Sequence, residues 1–391
     1  MTTKSLFDDL AGQESSIGYD DGLPQLQRTY TCRCGSLIFF RNSFCLNCHT
    51  ALGYDPVVGK VLPLDEGPEP NTWVLADKFV TGKADLYWRC ANVNTAAVCN
   101  WLVPISGVDH APSLCVSCRL NRTIPDLTSS ENQALWASIE KAKRRVVSAL
   151  LALGLPVISK VSEDPQRGLA FDILRSPANG PRILTGHDEG LITLNIEEAD
   201  DVTREKIRKQ MHEPYRTLVG HLRHEVGHYY WDRLVDNTPH LENYRELFGD
   251  ERTDYDEALK KNYEQGPRRD WPAHYVSSYA SVHPWEDWAE SWAHYMHMLD
   301  TLSTALSFGL SAQSVEMPFV PFTPDALWEH GVDKEAFLAL LNSWLKLTAV
   351  LNELCRSMGQ PDFYPFTLPT PTVRKLHFIH SVIRAACSEK R

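Results

Sequence analysis

The sequence has no long apolar run and no recognisable export signal. None of its hydrophobic stretches approaches the ~20 residues that a membrane helix needs. The N-terminal residues MTTKSLFDDLAGQESS hold one lysine, several acids and no apolar segment of signal-peptide length. We therefore expect a cytoplasmic protein that does not associate with a membrane.

A surplus of positive charge is also missing. The 391 residues include 39 Lys and Arg against 50 Asp and Glu, which gives a formal net charge of -11 at pH 7. Proteins that bind nucleic acid usually carry a basic surplus, so the composition disfavours nucleic acid as a partner. Hydrophobic residues make up 43% of the chain, which is enough to bury a core, and the length suits two or three domains.

Cysteines are present in an uneven distribution. Eight of the ten precede residue 120. Disulfides are rare in a reducing compartment, so grouped cysteines there point to metal binding. The other two, Cys355 and Cys387, stand alone in sequence of helical pattern, and we expect ordinary core or surface thiols.

The eight early cysteines form two groups of four. These are Cys32, Cys34, Cys45 and Cys48, followed by Cys90, Cys99, Cys115 and Cys118. Each group fits a tetrahedral structural zinc site, although the second is more widely spaced. An iron–sulfur cluster is the alternative for each group, and the ribbon-like spacing favours zinc.

The residue pattern of the sequence changes near residue 130. Residues 1–27 are polar, which predicts a flexible N-terminus, and residues 28–125 have the turns and short apolar runs of small β units. A helix is predicted over about 131–153, with strands at Leu169–Leu174 and Leu191–Ile196 and helices from about 201 onward. We predict a zinc-ribbon region over 28–125 with two four-cysteine zinc sites, and a second, mostly helical domain over 130–391.

The second domain contains an HExxH motif at His224, Glu225 and His228. Pro214 suits the first turn of a helix that would continue to about Val235. On a helix the two histidines lie one turn apart on one face, where they can bind one Zn²⁺. The alternative is a surface helix with two ordinary histidines, which the apolar residues around the motif disfavour.

A third zinc ligand is needed. Trp231 and Leu234 stand where a metzincin would have Gly and His, which excludes that class. A gluzincin takes a Glu from a later helix, and Glu286 and Glu290 lie one turn apart beside a stripe of tryptophans. We assign Glu286 as the ligand and Glu290 as the acceptor that holds one zinc-bound imidazole. The two assignments could be exchanged, and two solvent-facing acids are the alternative.

This set of residues predicts hydrolysis by an activated water. Zinc would lower the pKa of a water ligand toward ~7, and Glu225 would take its proton as general base. The attacked group would be a peptide carbonyl, and Glu225 would later pass the proton to the leaving amine. The sequence leaves the group that stabilises the oxyanion open.

The chain resembles a bacterial family of zinc-binding metallopeptidases with an N-terminal zinc ribbon. The resemblance rests on CRCG…CLNC, ITLNIEEAD, YRTLVGHLRHEVGHYYWDRL, FGDERTDY and HPWEDWAESWAHYMHMLDTL. It implies a gluzincin-like fold, in which helices flank a small mixed β-sheet. It also implies His224 and His228 as ligands, Glu225 as base and Glu286 as third ligand. The fold class we expect is α+β, with zinc-ribbon β units before the metallopeptidase domain.

The leading hypothesis is a zinc peptidase with one catalytic and two structural zinc ions. Its substrate would be a peptide or protein, and the zinc ribbon could bind a protein partner. One alternative is a catalytically silent, zinc-stabilised interaction module, and another is a metal-dependent hydrolase of a non-peptide amide. The presence of the base Glu225 favours an enzyme, because a catalytically inactive site does not need a general base.

Overall fold

The computed structural model describes residues 28–75, 86–105, 114–177, 179–210 and 215–388. The predicted flexible N-terminus over 1–27 lies outside these residues, as does Pro214. The chain divides into two compact units, Leu23–Lys206 and Ile207–Arg391. The expected α+β class is confirmed, since short strands dominate the early chain and helices the rest. The predicted boundary near residue 130 stays a prediction.

The first unit begins with a small hairpin that belongs to the first cysteine group. Strands β1 (Thr29–Thr31) and β2 (Leu37–Phe39) pair antiparallel, with Tyr30 opposite Ile38. Phe40 is buried against the rings of Tyr54 and Trp101, at 4.9 and 6.5 Å between centroids. The hairpin therefore gains its core partly from the sheet that follows.

That sheet has five antiparallel strands in chain order. They are β3 (Leu52–Asp55), β4 (Lys60–Glu66), β5 (Thr72–Leu75), β6 (Leu86–Arg89) and β7 (Leu102–Pro104). Leu64, Leu75, Tyr87 and Leu102 form its hydrophobic cluster. Gly53 lies where a Cβ would meet the Leu102 side chain at 2.5 Å, so a larger residue there would displace this cluster.

A long helix and a mixed sheet complete the first unit. After β8 (Asn121–Thr123), helix α1 (Ser130–Ala152) begins at Ser129, whose side chain accepts a hydrogen bond from the Asn132 amide. Strands β9 (Ala170–Leu174), β10 (Gly186–Asp188) and β11 (Leu191–Asn195) join β8 in the order β10-β11-β9-β8. Strand β9 is parallel to both of its neighbours, whereas β10 is antiparallel to β11. The expected small mixed sheet is present. Helix α2 (Asp201–Gln210) follows it.

The second unit is helical. Its helices are α3 (Leu218–Leu234), α4 (Leu241–Phe248), α5 (Tyr255–Gln265), α6 (Trp271–His274), α7 (Pro284–Ser307), α8 (Lys334–Ser357) and α9 (Thr370–Ser388). Helix α3 begins later than the sequence predicts, because the Thr217 side chain caps it by accepting a hydrogen bond from the Gly220 amide. Helix α7 begins at Pro284, since proline suits the first turn of a helix, and the His283 side chain caps it by accepting a hydrogen bond from the Trp285 amide.

Helices α3 and α7 pack closely, and this packing positions the site. A Cβ at Gly227 would lie only 3.1 Å from the Ala289 Cα atom, so the two backbones meet where both side chains are small or absent. The Trp288 indole donates a hydrogen bond of 2.9 Å to the Gly227 carbonyl. Tyr230 stacks on Trp292 at 5.0 Å. Across the described part of the chain, no helix is long and apolar enough to cross a membrane.

Candidate metal centre

Helices α3 and α7 bring His224, His228 and Glu286 together. Their ligand atoms all lie within 4.8 Å of one another. The two histidine Nε2 atoms are 3.2 Å apart, and Glu286 Oε2 lies 3.0 Å from that of His224 and 3.6 Å from that of His228. Zinc bonds of about 2.1 Å in a tetrahedron separate ligand atoms by about 3.4 Å. The three atoms therefore have the spacing that one zinc ion requires.

These three side chains are almost fully buried, with relative exposures of 8% for His224, 4% for His228 and 2% for Glu286. Burial by itself raises the pKa of Glu286, but the two imidazoles outweigh it and hold that pKa well below its ordinary value. Among the described residues, Glu286 Oε2 has no hydrogen-bond donor of acceptable geometry. A buried carboxylate oxygen without a donor, directed at two imidazole nitrogens, fits a cation site.

Glu290 contacts the opposite nitrogen of the same histidine. Its Oε1 lies 2.8 Å from His224 Nδ1, and the Ser277 hydroxyl donates a hydrogen bond of 2.6 Å to Oε2. An Nδ1 proton donated to Glu290 leaves the Nε2 lone pair of His224 directed at the cluster. The structure thus places Glu286 and Glu290 on different sides of His224, which the helical spacing alone had left exchangeable.

Glu225 is buried beside the cluster with a relative exposure of 4%. Its Oε1 lies 3.1 Å from His221 Nε2, one turn earlier on α3. Burial raises the pKa of Glu225, but the hydrogen bond and charge of His221 outweigh it, so the pKa is lowered overall. The carboxylate is therefore ionised at neutral pH and able to accept a proton.

Several residues at the centre escaped the sequence analysis. The Tyr255 hydroxyl donates a hydrogen bond of 2.5 Å to Glu286 Oε1. The Trp285 ring lies 4.0 Å from the His228 ring, and the Tyr279 ring lies 5.9 Å from that of His224. One signal could have found Tyr255, because it is the last residue of the motif FGDERTDY.

Two further histidines of α7 lie apart from the ligand cluster. His294 Nδ1 lies 2.6 Å from the Tyr364 hydroxyl. His297 Nδ1 lies 2.6 Å from an Arg223 nitrogen, and Arg223 also forms a buried ion pair of 2.6 Å with Asp300. Both histidines belong to packed hydrogen-bond networks of the helical unit.

The structure also brings together each group of four cysteines. Adjacent sulfurs lie 3.6 and 3.7 Å apart in the first group and 3.7 and 3.8 Å apart in the second. A zinc–sulfur bond of about 2.3 Å in a tetrahedron gives about 3.8 Å between sulfurs. The cysteines of a four-iron cluster bind four different irons and lie farther apart. Both groups therefore have the geometry of a site for a single ion.

The two cysteine sites differ in exposure. Cys34 and Cys48 of the first site are exposed, whereas all four cysteines of the second are at most 1% exposed. Beside the second site, Glu140 Oε2 lies 3.8 Å from the Cys118 sulfur, and Lys143 forms a fully buried ion pair of 2.7 Å with Glu140. The Glu140 carboxylate therefore lies beside the second site, and Lys143 balances its charge.

Comparison with known families gives two matches on this chain. A family described as “Putative zinc-binding metallo-peptidase” matches residues 132–382, and a family described as “zinc-ribbon domain” matches residues 29–129. An uncharacterized protein of Mycobacterium bovis is 41% identical over 358 residues, which cover 91% of this chain and 95% of the relative. Uncharacterized proteins of two Mycobacterium tuberculosis strains show the same identity and coverage. No solved structure matches.

Proposed function

The chain belongs to the family described as zinc-binding metallopeptidases and carries an N-terminal zinc-ribbon domain, and on that premise we propose that it is a gluzincin-like zinc peptidase. The observation that carries this proposal is the convergence of His224, His228 and Glu286 on one point. Glu225 lies on the same helix as the two histidines and is also buried. A base next to a three-ligand zinc site is the arrangement used for hydrolysis by activated water.

We propose that His224 Nε2, His228 Nε2 and Glu286 Oε2 hold the ion. When bound, zinc would supply a Lewis acid that activates water near neutral pH and polarises the carbonyl of the substrate. Glu290 would keep His224 in the tautomer whose Nε2 lone pair is free for the metal. The 2.8 Å contact between these two side chains supports that role.

Glu225 would act as the general base. It would accept a proton from the attacking water as the water oxygen bonds to the carbonyl carbon. It would then deliver that proton to the amine nitrogen as the carbon–nitrogen bond breaks. The contact with His221 supports this role, because it fixes one carboxylate oxygen and leaves the other for the proton.

The two cysteine sites would each hold a structural zinc ion, which gives three ions per chain. Residues 28–125 would then form a ribbon region and residues 130–391 the peptidase region. Around the first cysteine site, four large apolar side chains have relative exposures of 46–75%: Leu37, Phe39, Phe44 and Leu46. This exposed surface supports the proposal that the ribbon binds a protein partner.

The test is the zinc content per chain measured beside cleavage of a broad peptide library. The wild type is compared with Glu225→Gln and with Glu264→Gln, a control at an exposed acid of the same unit. We expect about three zinc ions in all three proteins. Removal of the general base should lower the rate of cleavage by about 10²–10⁴-fold in Glu225→Gln alone.

Other outcomes would overturn the proposal. Two zinc ions and no cleavage in fully loaded wild type would favour a silent interaction module. Three zinc ions, with hydrolysis of small amides but no peptide cleavage, would favour a hydrolase of a non-peptide amide. Equal cleavage by wild type and Glu225→Gln would remove Glu225 from the mechanism.

A further inference from the structure

Residues 250–275, which we call the surface segment, include α5 and α6 but have no buried residue. Such an element gains little from hydrophobic burial, so it is expected to open at a low free-energy cost. The segment nevertheless contacts α7 through Tyr255, and residues 276–283 join it to that helix. It is therefore a weakly buried element held against the helix that carries Glu286.

Both ends of the surface segment are fixed to the beginning of α7. At one end Gly249 has a φ of +105°, and a Cβ there would lie 3.2 Å from Pro284 Cγ. His283 Nε2, at the cap of α7, lies 3.1 Å from the Thr253 carbonyl oxygen. At the other end Lys375 donates hydrogen bonds to the His274 carbonyl and to Asp287 of α7, at 3.1 and 2.6 Å.

Between these ends, one side chain of the segment reaches the metal centre. Tyr255, the first residue of α5, donates a hydrogen bond from its hydroxyl to Glu286 Oε1 at 2.5 Å. Its ring also contacts those of His283 and Trp285, at 5.3 and 6.2 Å between centroids. Since Oε1 is occupied by Tyr255, Oε2 is the oxygen that faces the two imidazoles.

We propose that Tyr255 is a positioning residue for Glu286 and couples metal occupancy at the His224–His228–Glu286 site to closure of the surface segment. The inference rests on the proposed function, since it requires zinc at that site. A hydrogen bond on Oε1 prevents the carboxylate from rotating and presents Oε2 alone to the ion. The coupling is reciprocal. If closure of the surface segment raises zinc affinity by a given factor, bound zinc favours the closed segment by the same factor.

Closure also bears on access to the centre. Glu225 and the three ligand residues are at most 8% exposed, so little of their surface is open to a substrate in this arrangement. Opening of the surface segment withdraws the Tyr255 ring from the site and frees Glu286 Oε1. Segment opening is therefore the step that we connect with loss of metal and with entry of substrate.

The experiment compares zinc-loaded wild type with Tyr255→Phe and with Tyr263→Phe, a control at an exposed tyrosine of the same helix. Zinc affinity is measured by competition with a chromophoric chelator, and segment order by hydrogen–deuterium exchange of peptides covering 250–275.

Tyr255→Phe keeps the ring, so we expect it to fold. We expect its zinc affinity at this site to fall by about 10-fold or more and its exchange over 255–265 to rise. The control should match wild type, and withdrawal of zinc from wild type should raise exchange over the same residues.

The inference is overturned by a Tyr255→Phe protein whose zinc affinity equals that of wild type. Faster exchange without a change in affinity would show that Tyr255 only packs the segment, and would also overturn the coupling. If loaded wild type binds only two zinc ions, the proposed function fails and this inference fails with it. Three ions in wild type with no effect of Tyr255→Phe would overturn this inference alone.

Discussion

At the scale of single residues, His224 is fixed from both of its ring nitrogens. Glu290 contacts Nδ1 at 2.8 Å, and Glu286 approaches Nε2 at 3.0 Å. Glu290 is in turn held by the Ser277 hydroxyl. The orientation of one imidazole therefore depends on a carboxylate and a serine that do not belong to the ligand cluster.

Removal of Glu290 should weaken zinc binding without removing a ligand. We expect Glu290→Ala to lower zinc affinity at the His224–His228–Glu286 site by about 10–100-fold, because the imidazole loses its acceptor on Nδ1. Ser277→Ala should also lower zinc affinity, but by a smaller factor, since it removes only the hydrogen bond that holds Glu290. Chelator competition measures both, with the exposed Glu264→Ala as control. Equal affinity in Glu290→Ala and wild type would contradict this role.

At the scale of elements, the close contact of α3 with α7 depends on Gly227. The atoms nearest to a Cβ at this position are Ala289 Cα and two carbons of Trp292, at 3.1–3.2 Å. Ala289 Cα belongs to the backbone and Trp292 Cβ is bonded to it, so neither atom can move without shifting the helix. The third atom, Trp292 Cδ1, lies in a fully buried ring. Ala289 lies between Glu286 and Glu290, so a shift of this part of α7 moves both carboxylates.

Gly227→Ala should therefore destabilise the protein, although alanine favours helices. Helix propensity alone would stabilise the variant by about 1 kcal/mol. Overpacking against a rigid neighbour costs about 1–3 kcal/mol, so we expect a net loss of about 1 kcal/mol. The measurements are the thermal midpoint, which should fall by a few degrees, and zinc affinity, which should fall with it. A midpoint above that of wild type would show that α7 accommodates the methyl group.

At the scale of the whole molecule, the two cysteine sites differ in how they meet solvent. The first site has two exposed cysteines, whereas the four cysteines of the second are buried and lie beside Glu140 of α1. A chelator must reach a thiolate or the ion to remove it. Release from the second site therefore requires local opening, while release from the first does not.

An excess of chelator should consequently remove zinc from the first site at least ~10-fold faster than from the second, since even a small opening free energy has that effect. The rates are measured with a metal-sensitive dye. Cys34→Ser should abolish the fast phase, and Cys355→Ser, at a lone cysteine, should leave all phases unchanged. A fast phase that persists in Cys34→Ser would contradict this order of release.

Much of the organisation was present in local sequence. The sequence predicted α1 over about 131–153, within a residue of the observed Ser130–Ala152, because helix ends are determined by neighbouring side chains. The cysteine groups predicted which thiols meet, and their ribbon-like spacing favoured one zinc ion over a cluster. The sequence predicts that α3 begins near Pro214, whereas the helix begins at Leu218 because Thr217 caps it.

The sequence by itself determined which residue types lie one helical turn apart: His224 with His228, and Glu286 with Glu290. Tertiary structure alone decided which carboxylate faces the imidazole Nε2 atoms, and that Tyr255 binds the other oxygen of Glu286. The reason is physical. Helical periodicity defines a face to within a turn, but the rotation and separation of two packed helices depend on contacts such as Gly227 against Ala289, between residues far apart in the chain.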